Sequence, residues 1–422
     1  MKGGVSEYLY RIDFVEAERE LAREYEPTRL ILRNQGLGPA LLFRVKGCSQ
    51  LSASNLVDSR EKLYRAIEAS SDFEAYVKLL ESMRSPAKLI EKNPPDLKEA
   101  ERGLLDLPAI KFYLDEGGYY LTSSIFIACY EGICNASFHR VMVLNEKRAV
   151  ARIVPRHLYE LIGRARERGE NLPVTIILGA HPAVELAVSS SPPLGVFELE
   201  TASRLVGGLE VFSSPLHGNP VPLGAPAIIE AEVTGELEDE GPFVDIVGNY
   251  DRVRKQPVLR VKKVFINEEE INHVIVSGGL ESQLIMGFPR EAAIWEAVSR
   301  VAKVVKVRLT RGGGHWLHAV ISIKKRQEGE AANVAMAAFT AHPSLKHVVV
   351  VDEDIDPDDP HDVEWAIAMR FQADKSLVVL KNVRGSTLDP SSQDGLTSKL
   401  WIDATKPIGA GREYMRGRLG ET

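Results

Sequence analysis

The sequence predicts a mixed α/β and β fold, in which a barrel-like β region lies between a small N-terminal α/β region and a C-terminal layered α/β domain. Three observations lead to this class. Residues 1–111 alternate between helical and strand-like patterns, residues 112–290 are mostly short β runs broken by Gly, Pro, Asn and Asp, and residues 291–422 alternate strands with helices. We place the boundaries of the three regions at these changes.

The N-terminal region predicts elements of both kinds. Apolar residues recur at helical spacing over residues 8–25, which predicts an amphipathic helix. Residues 29–32 and 40–45 predict short strands on either side of a glycine-containing turn. Charged helices are expected from residue 60 to about residue 91, where two prolines follow.

The central and C-terminal regions differ in the spacing of their apolar residues. In the central region, strands are predicted at 119–128, 138–144, 149–154, 174–178, 227–234 and 258–266, and helices at 156–168 and 197–205. In the C-terminal region, strands are predicted at 304–309, 318–323, 345–351 and 377–380, and helices at 291–301, 330–339 and 362–369. The valines at 348–351 indicate a buried parallel strand.

Composition excludes several classes of protein. The 422 residues are 44% hydrophobic with a net charge of −7, which predicts a globular protein and disfavours sequence-independent nucleic-acid binding. No apolar signal core and no run of about 18 apolar residues is present, so we expect a cytoplasmic protein without a membrane span. Cys48, Cys129 and Cys134 predict no disulfide framework, and Cys134 is expected to be structural.

Two neighbouring segments could carry chemistry, NASFHR at 135–140 and RIVPRH at 152–157. Asn and His together with a carboxylate suit Mn²⁺ or Mg²⁺ better than zinc. The arginines Arg140, Arg152 and Arg156 could neutralise a phosphorylated cofactor or a carboxylate. An ordinary hairpin with a solvated basic face is the alternative. In a straight strand, Asn135 and Arg140 would face opposite sides, so a common site requires a bulge or a coil.

Acidic residues supply two further candidates. Glu198 could complete a metal site, or it could be a carboxylate in the first turn of a helix. Glu240 and Asp245 flank a Gly-Pro turn and could meet in one cavity, where crowding would raise a pKa enough for general-acid catalysis. The alternative for this pair is a solvated acidic loop.

A third acidic run, residues 352–358, follows the predicted valine strand at the strand end where α/β sheets bind ligands. Lys346, at the start of that strand, could reach a phosphate or extend to solvent. The spacing of the aspartates does not fit an EF-hand, which requires a glycine where Pro357 stands.

Taken together and in this order, these motifs resemble the UbiD-type decarboxylases, which use prenylated FMN. The resemblance covers about residues 119–406 and also includes GAHPA at 179–183, Trp365-Ala and IDAT at 402–405. It implies a split β-barrel that holds the flavin between a small N-terminal α/β region and a C-terminal α/β domain used in oligomerisation.

The resemblance also implies a site. Its metal, Mn²⁺ or Mg²⁺, would be bound by Asn135, His157 and Glu198, and K⁺ is a further candidate ion. The catalytic residues would be Arg140, Glu240 and Asp245, the last standing where the family has Glu, which shortens its reach by one methylene. The residues implied in cofactor binding are Phe138, His139, Arg140, Arg152, Ile153, Val154, Arg156, His157 and Lys346.

The implied reaction is decarboxylation of an α,β-unsaturated or aromatic acid. The compact chain is similar to short archaeal members of the family, which convert trans-anhydromevalonate 5-phosphate into isopentenyl phosphate and CO₂. A (prenylated) hydroxybenzoate is the alternative substrate, and a flavin reductase or flavin carrier on the same barrel, or a structural protein with solvated acidic loops, is the alternative function. The expected partners are a flavin prenyltransferase, which supplies the cofactor, and further copies of the chain in a homo-oligomer.

Overall fold

The computed structural model describes residues 1–36, 38–393 and 395–417. The chain divides into two compact units, Met1–Met286 and Gly287–Thr422. Helices and mostly antiparallel sheets alternate along the chain, which confirms the predicted mixed α/β class. The finer division into three regions, with a boundary between residues 111 and 112, stays a prediction.

The first hundred residues form short elements. They are α1 (Val5–Leu9), β1 (Phe14–Glu16), α2 (Glu26–Asn34), β2 (Ala40–Arg44), β3 (Leu51–Ser54), α3 (Arg60–Ala66), α4 (Asp72–Arg84), β4 (Ile90–Glu91) and β5 (Lys98–Glu99). Two predictions are wrong here. The helix over 8–25 ends at Leu9 because Phe14 pairs in parallel with Ala40, and the strand over 29–32 lies inside α2, which has Pro27 in its first turn.

The rest of the first unit contains most of its strands. These elements are β6 (Tyr119–Leu121), β7 (Ser124–Tyr130), β8 (Ile133–Phe138), β9 (Val141–Asn145), β10 (Arg148–Ala151), α5 (His157–Glu167), β11 (Leu172–Leu178), α6 (Pro182–Ser190), α7 (Glu198–Leu205), β12 (Glu210–Ser213), β13 (Pro220–Pro222), β14 (Ala227–Glu240), β15 (Phe243–Val244), β16 (Tyr250–Asp251), β17 (Arg254–Ile266) and β18 (Asn272–His273). Among the described residues, the largest sheet has nine strands in the order β6-β9-β10-β17-β14-β11-β7-β8, with β5 paired to β17.

This sheet is buried on both faces. Phe126 of β7, Ile229 of β14 and Ala149 of β10 pack in one core with Leu161 of α5, so the sheet curls around that helix as a half-barrel. Ile127, the neighbour of Phe126, packs on the opposite face in a core that includes α6 and α7. Both α5 and α7 contact β8, the edge strand that carries the first candidate motif.

The sequence predicts no disulfide framework, but two of the three cysteines are bonded to each other. Cys129 and Cys134 form a disulfide across the β7–β8 hairpin, where they are directly opposite each other. The hairpin turn at Glu131 and Gly132 has positive φ at both residues, which is typical of a two-residue turn that brings strand ends together. Cys48 is free and buried.

The second unit is a layered α/β fold. Helix α8 (Leu280–Ser299) leads into it, followed by β19 (Val304–Leu309), β20 (His318–Ile323), α9 (Glu330–Ala341), β21 (His347–Asp352), α10 (Pro360–Arg370), α11 (Ala373–Ser376), β22 (Leu377–Arg384) and β23 (Leu396–Asp403). The sheet order is β19-β20-β21-β23-β22, and β21 is parallel to both of its neighbours, which confirms the buried parallel valine strand. None of the helices in the described part of the chain is long and apolar enough to cross a membrane.

Candidate active site

The segment 135–140 is not a straight strand. Strand β8 ends before His139, and β9 begins after Arg140, so the two residues lie in the connection between them. The N–H of Arg152 donates to the carbonyl oxygen of Arg140 (3.1 Å), which ties this connection to the end of β10. The break removes the constraint of strand alternation that would place Asn135 and Arg140 on opposite faces.

Arg140 lies at the centre of three carboxylates. Its Nε and Nη2 donate to the two oxygens of Glu240, both at 2.8 Å. Its Nη1 donates to Asp245 Oδ2 (2.5 Å), and Nη2 also donates to Asp251 Oδ2 (3.0 Å). These bonds use four of the five N–H donors of the guanidinium, and the fifth is on Nη1, beside Asp245. We call these four residues the Arg140 cluster.

A tight turn places the acids of the Arg140 cluster. Glu240 ends β14, and Gly241 has a φ of +100°, a conformation that favours glycine. A side chain on Gly117 would lie 2.0 Å from the carbonyl oxygen of Gly241, so only glycine allows this close approach. Strands β15 and β16 then pair Phe243 with Asp251, and the Phe243 ring lies 4.5 Å from the Arg140 guanidinium.

Burial controls the electrostatics of this cluster. The side chains of Arg140, Glu240 and Asp251 are at most 8% exposed, whereas that of Asp245 is 22% exposed. Burial raises the pKa of Asp245, although Arg140 opposes this change. Burial also acts on Arg140, but its hydrogen bonds to Glu240 raise its pKa, so it stays charged. The arrangement therefore presents a fixed cation beside an acid that can retain a proton, as general-acid catalysis requires.

The three predicted metal ligands also come together. Glu198, the first residue of α7, accepts from Asn135 Nδ2 (2.9 Å) and from the backbone N–H of Ala136 (2.7 Å). The Nδ1 atom of His157, the first residue of α5, lies 3.6 Å from Glu198 Oε1. Among the described residues, no group of three His, Cys, Asp or Glu is placed to hold a metal. The predicted ligands include only two residues of these types, His157 and Glu198, and the third is the amide of Asn135.

The hydrogen bonds of His139 and Ser137 show that the amide oxygen of Asn135 can accept a further partner. His139 is buried, which lowers its pKa to about 4, so its ring is neutral. Its Nδ1 lies 3.0 Å from the carbonyl oxygen of Arg152 and donates to it, so Nε2 accepts from Ser137 Oγ at 2.9 Å. The single hydroxyl proton of Ser137 is then not shared with Asn135 Oδ1, 3.0 Å away, and that oxygen is available for a cation.

The other residues of the predicted cofactor set have different surroundings. Phe138 packs against the core that includes α6 and α7, and Ile153 is buried with its N–H bound to Gln256 Oε1 (2.9 Å). Val154 is exposed. Arg156 donates to Ser191 Oγ (3.3 Å). Their assignment to the cofactor is not tested by these contacts and stays a prediction.

Lys346 and His181, which belong to two other motifs, form hydrogen bonds or ion pairs within the chain. Lys346 lies in the second unit, where its Nζ is 2.9 Å from Asp389 Oδ2 and donates to Ser391 Oγ (2.6 Å), and its predicted role in phosphate binding is untested. His181 of the GAHPA segment caps α6 through Nδ1, which accepts from the N–H of Ala183 (3.1 Å).

The acidic run after β21 is neutralised by basic side chains. Asp354 pairs with Arg370 at 2.8 Å, and Asp358 pairs with Lys306 and with Arg308 at 2.5 Å each. These ion pairs offset part of the negative charge of the run.

Three residues of the site were missed by the sequence analysis: Asp251, Ser137 and Arg254. Asp251 joins Arg140 through the pairing of β15 with β16, a register that the sequence does not reveal. Ser137 carried a signal, because in any strand a residue two positions after Asn135 lies on the same face. Arg254 follows Asp251 by three residues and pairs with it at 2.6 Å.

The fold and the site together define a class. The model of the UbiD 3-octaprenyl-4-hydroxybenzoate carboxy-lyase Rift-related domain matches residues 87–280, and the model of the C-terminal domain of the same carboxy-lyase matches residues 283–404. The chain belongs to the UbiD family of decarboxylases, which confirms the resemblance.

Individual relatives narrow the class. The chain is 55% identical to the anhydromevalonate phosphate decarboxylase of Aeropyrum pernix over 98% of this chain and 95% of the relative. It is similar in structure to the UbiD-class enzyme HmfF of Pelotomaculum thermopropionicum in complex with FMN, with a TM-score of 0.92 and 34% identity over 96% of this chain and 94% of that one. An evolved dimeric form of HmfF in complex with prFMN gives a TM-score of 0.89 and 32% identity over 97% and 96% of the two chains.

Proposed function

We propose that the chain decarboxylates trans-anhydromevalonate 5-phosphate to isopentenyl phosphate and CO₂, with prenylated FMN as its cofactor. The relative at 55% identity is an anhydromevalonate phosphate decarboxylase, and the HmfF structures contain FMN or prFMN. The observation in the structure that supports the proposal most directly is Asp245, a partly exposed carboxyl group with a raised pKa, hydrogen-bonded to a buried arginine.

The residues present fit the cofactor and its metal. The amide oxygen of Asn135 and the carboxylate of Glu198 are hard oxygen donors that suit Mn²⁺ or Mg²⁺, and the imidazole of His157 adds a nitrogen donor. Arg152 and Arg156 would lie along the anionic part of the flavin. When bound, prenylated FMN supplies the electron sink for the negative charge left as CO₂ departs.

The chain's own residues orient the acid and deliver the proton. The fifth N–H of Arg140, on Nη1, is the donor available to the substrate carboxylate, and the bidentate contact with Glu240 keeps the guanidinium plane fixed. Asp245, bound to that same nitrogen, then donates its proton to the carbon that has lost CO₂. Glu240 is fully buried, so we assign proton delivery to Asp245 and positioning to Glu240.

The proposed function also includes the partners, the ions and the location of the enzyme. We propose that the enzyme is a homo-oligomer and that it receives its cofactor from a flavin prenyltransferase. K⁺ is a candidate second ion of the cofactor site. The predicted cytoplasmic location and the manganese ion are parts of this proposal.

The experiment that tests the function offers two acids to the protein made together with a flavin prenyltransferase. We expect CO₂ release from trans-anhydromevalonate 5-phosphate and no release from 4-hydroxybenzoate. Release from the aromatic acid alone would favour the alternative substrate class. A protein that binds flavin but releases CO₂ from neither acid, while it oxidises NAD(P)H, would favour the reductase alternative.

A further inference from the structure

A second cationic group lies beside the Arg140 cluster. Arg254, the first residue of β17, is opposite Glu240 in the strand register. Its Nη2 lies 2.6 Å from Asp251 Oδ1, and its Nη1 is buried without a hydrogen-bond partner. A buried donor without a partner is rare in proteins and destabilises the fold unless a ligand or a water satisfies it.

Arg152 adds to the positive charge at this point. Its Nε lies 3.9 Å from Asp251 Oδ2, the oxygen that also accepts from Arg140. Burial lowers the pKa of Arg152, and repulsion from Arg254 and Arg140 lowers it further. Three guanidinium groups therefore meet at the carboxylate of Asp251. Arg140 also pairs with Glu240 and Asp245, so an additional anion at this point would act mainly on Arg152 and Arg254.

We propose that Arg254 binds the phosphate group of the substrate, in a positive field to which Arg152 contributes. This inference rests on the proposed function, in which the substrate carries two anionic groups, the carboxylate that leaves and the phosphate that remains. Arginine suits a phosphate because its planar fork can donate two parallel hydrogen bonds to phosphate oxygens.

The spacing of the cations fits a small substrate with two anions. Asp251 bonds Arg140 through Oδ2 and Arg254 through Oδ1, so one carboxylate group separates the two guanidiniums. With the substrate carboxylate at Arg140 Nη1, Arg254 is a neighbouring cation, joined to Arg140 through Asp251, that could take the phosphate of the same substrate. The Arg254 side chain is 14% exposed, although its Nη1 atom is buried.

The test compares two substrates in two variants of the flavin-loaded enzyme. In Arg254→Gln we expect KM for the phosphorylated acid to rise at least tenfold with a smaller change in kcat, because the lost contact binds a part of the substrate that does not react. Turnover of the same acid without its phosphate should fall much less than turnover of the phosphorylated acid. Inorganic phosphate should inhibit the wild-type enzyme competitively and should inhibit Arg254→Gln at least tenfold more weakly.

Arg260→Gln is the matched control, since Arg260 lies on the same strand, is 54% exposed and is 3.8 Å from Glu232. It should behave as the wild type. If Arg254→Gln does not fold, Arg254→Lys replaces it. That variant keeps the charge but loses the fork, so KM should rise for the phosphorylated acid only.

The outcomes separate this inference from the proposed function. Equal losses on both acids in the Arg254 variants would overturn the inference and leave Arg254 as a counter-ion of Asp251, while the proposed function stands. A wild-type enzyme that does not release CO₂ from the phosphorylated acid would overturn both.

Discussion

The Arg140 cluster can be compared with a second group of buried charged residues in the first unit, which lacks the features of a catalytic site. In the second group, His273 Nδ1 lies 2.8 Å from Glu185 Oε1, and Nε2 lies 3.1 Å from Glu281 Oε1. We call these three residues the His273 cluster. Their side chains are at most 3% exposed, whereas Asp245 of the Arg140 cluster is 22% exposed.

The comparison shows that burial and charge do not by themselves define a site. Glu281 accepts from the backbone N–H groups of residues 55, 56 and 57, so its carboxylate is saturated. Burial opposes the charge of His273, but Glu185 and Glu281 raise its pKa to about 10. The His273 cluster thus joins α6, β18 and the start of α8, whereas the Arg140 cluster keeps one N–H donor and one partly exposed carboxyl group open.

The largest effect is expected from Asp245→Asn. The amide cannot donate the carboxyl proton, so turnover should fall by about 10²- to 10⁴-fold. Flavin content and thermal stability should stay near those of the wild type, because the amide still accepts the hydrogen bond from Arg140. Steady-state CO₂ release and the absorbance spectrum of the bound flavin measure the two properties.

Asp239→Asn is the control for this variant. Asp239 lies in the same acidic stretch but is 62% exposed and pairs with Lys255 at 3.1 Å. It should retain wild-type turnover. Unchanged turnover in Asp245→Asn would exclude Asp245 as the proton donor and remove the chief difference between the two clusters.

The second effect concerns stability. His273→Leu leaves Glu185 and Glu281 buried without their cation, so the free energy of unfolding should fall by about 3–5 kcal/mol. Chemical denaturation followed by circular dichroism measures this loss. The turnover per folded, flavin-loaded molecule should not change.

An exposed ion pair is the appropriate control. Lys255→Met removes the partner of Asp239, and both side chains are about 60% exposed, so the change should be within about 1 kcal/mol. A His273→Leu protein as stable as the Lys255→Met protein would show that the His273 cluster contributes no more than a surface pair.

Sequence reasoning found most of the Arg140 cluster and none of the His273 cluster, for physical reasons. Arg140, Glu240 and Asp245 stand in motifs, but Asp251 reaches Arg140 only through the pairing of β15 with β16. The His273 cluster was missed entirely because its members are distant in sequence and each lies in an ordinary apolar segment.

The same limit applies to the fold. The strands at 304–309 and 318–323 match the prediction because both are rich in β-branched residues and a glycine-rich turn at 312–314 separates them. The helical spacing over 8–25 was overridden by the parallel pairing of Phe14 with Ala40, which is a tertiary contact. The four-residue apolar run at 29–32 could be either a helix or a strand by period alone, and Pro27 at the start of α2 was the signal that separates the two.

The third effect is a pH dependence of stability that the His273 cluster should show. The folded-state pKa of His273, about 10, lies above its ordinary value near 6.5. Its contribution to stability is therefore complete below about pH 6.5 and is lost as the pH rises toward 10. We expect the stability difference between wild type and His273→Leu to shrink over this range. Denaturation curves of both proteins at pH 6.5 and pH 9.5 test this, because the titrations of groups distant from residue 273 cancel. A constant difference would contradict the raised pKa.

The smallest effect is expected from removal of the disulfide. This bond restrains the hairpin that carries Asn135, and it involves no charged group. Cys129 and Cys134 enclose a short loop whose turn is already formed by β7 and β8, so Cys129→Ser with Cys134→Ser should lower the free energy of unfolding by about 1–2 kcal/mol. Asn135 keeps its bond to Glu198, so turnover should be retained. Reduction of the wild type should reproduce the loss, and Cys48→Ser, which removes the free thiol, is the control. A loss of flavin in the double variant would instead show that the disulfide positions Asn135.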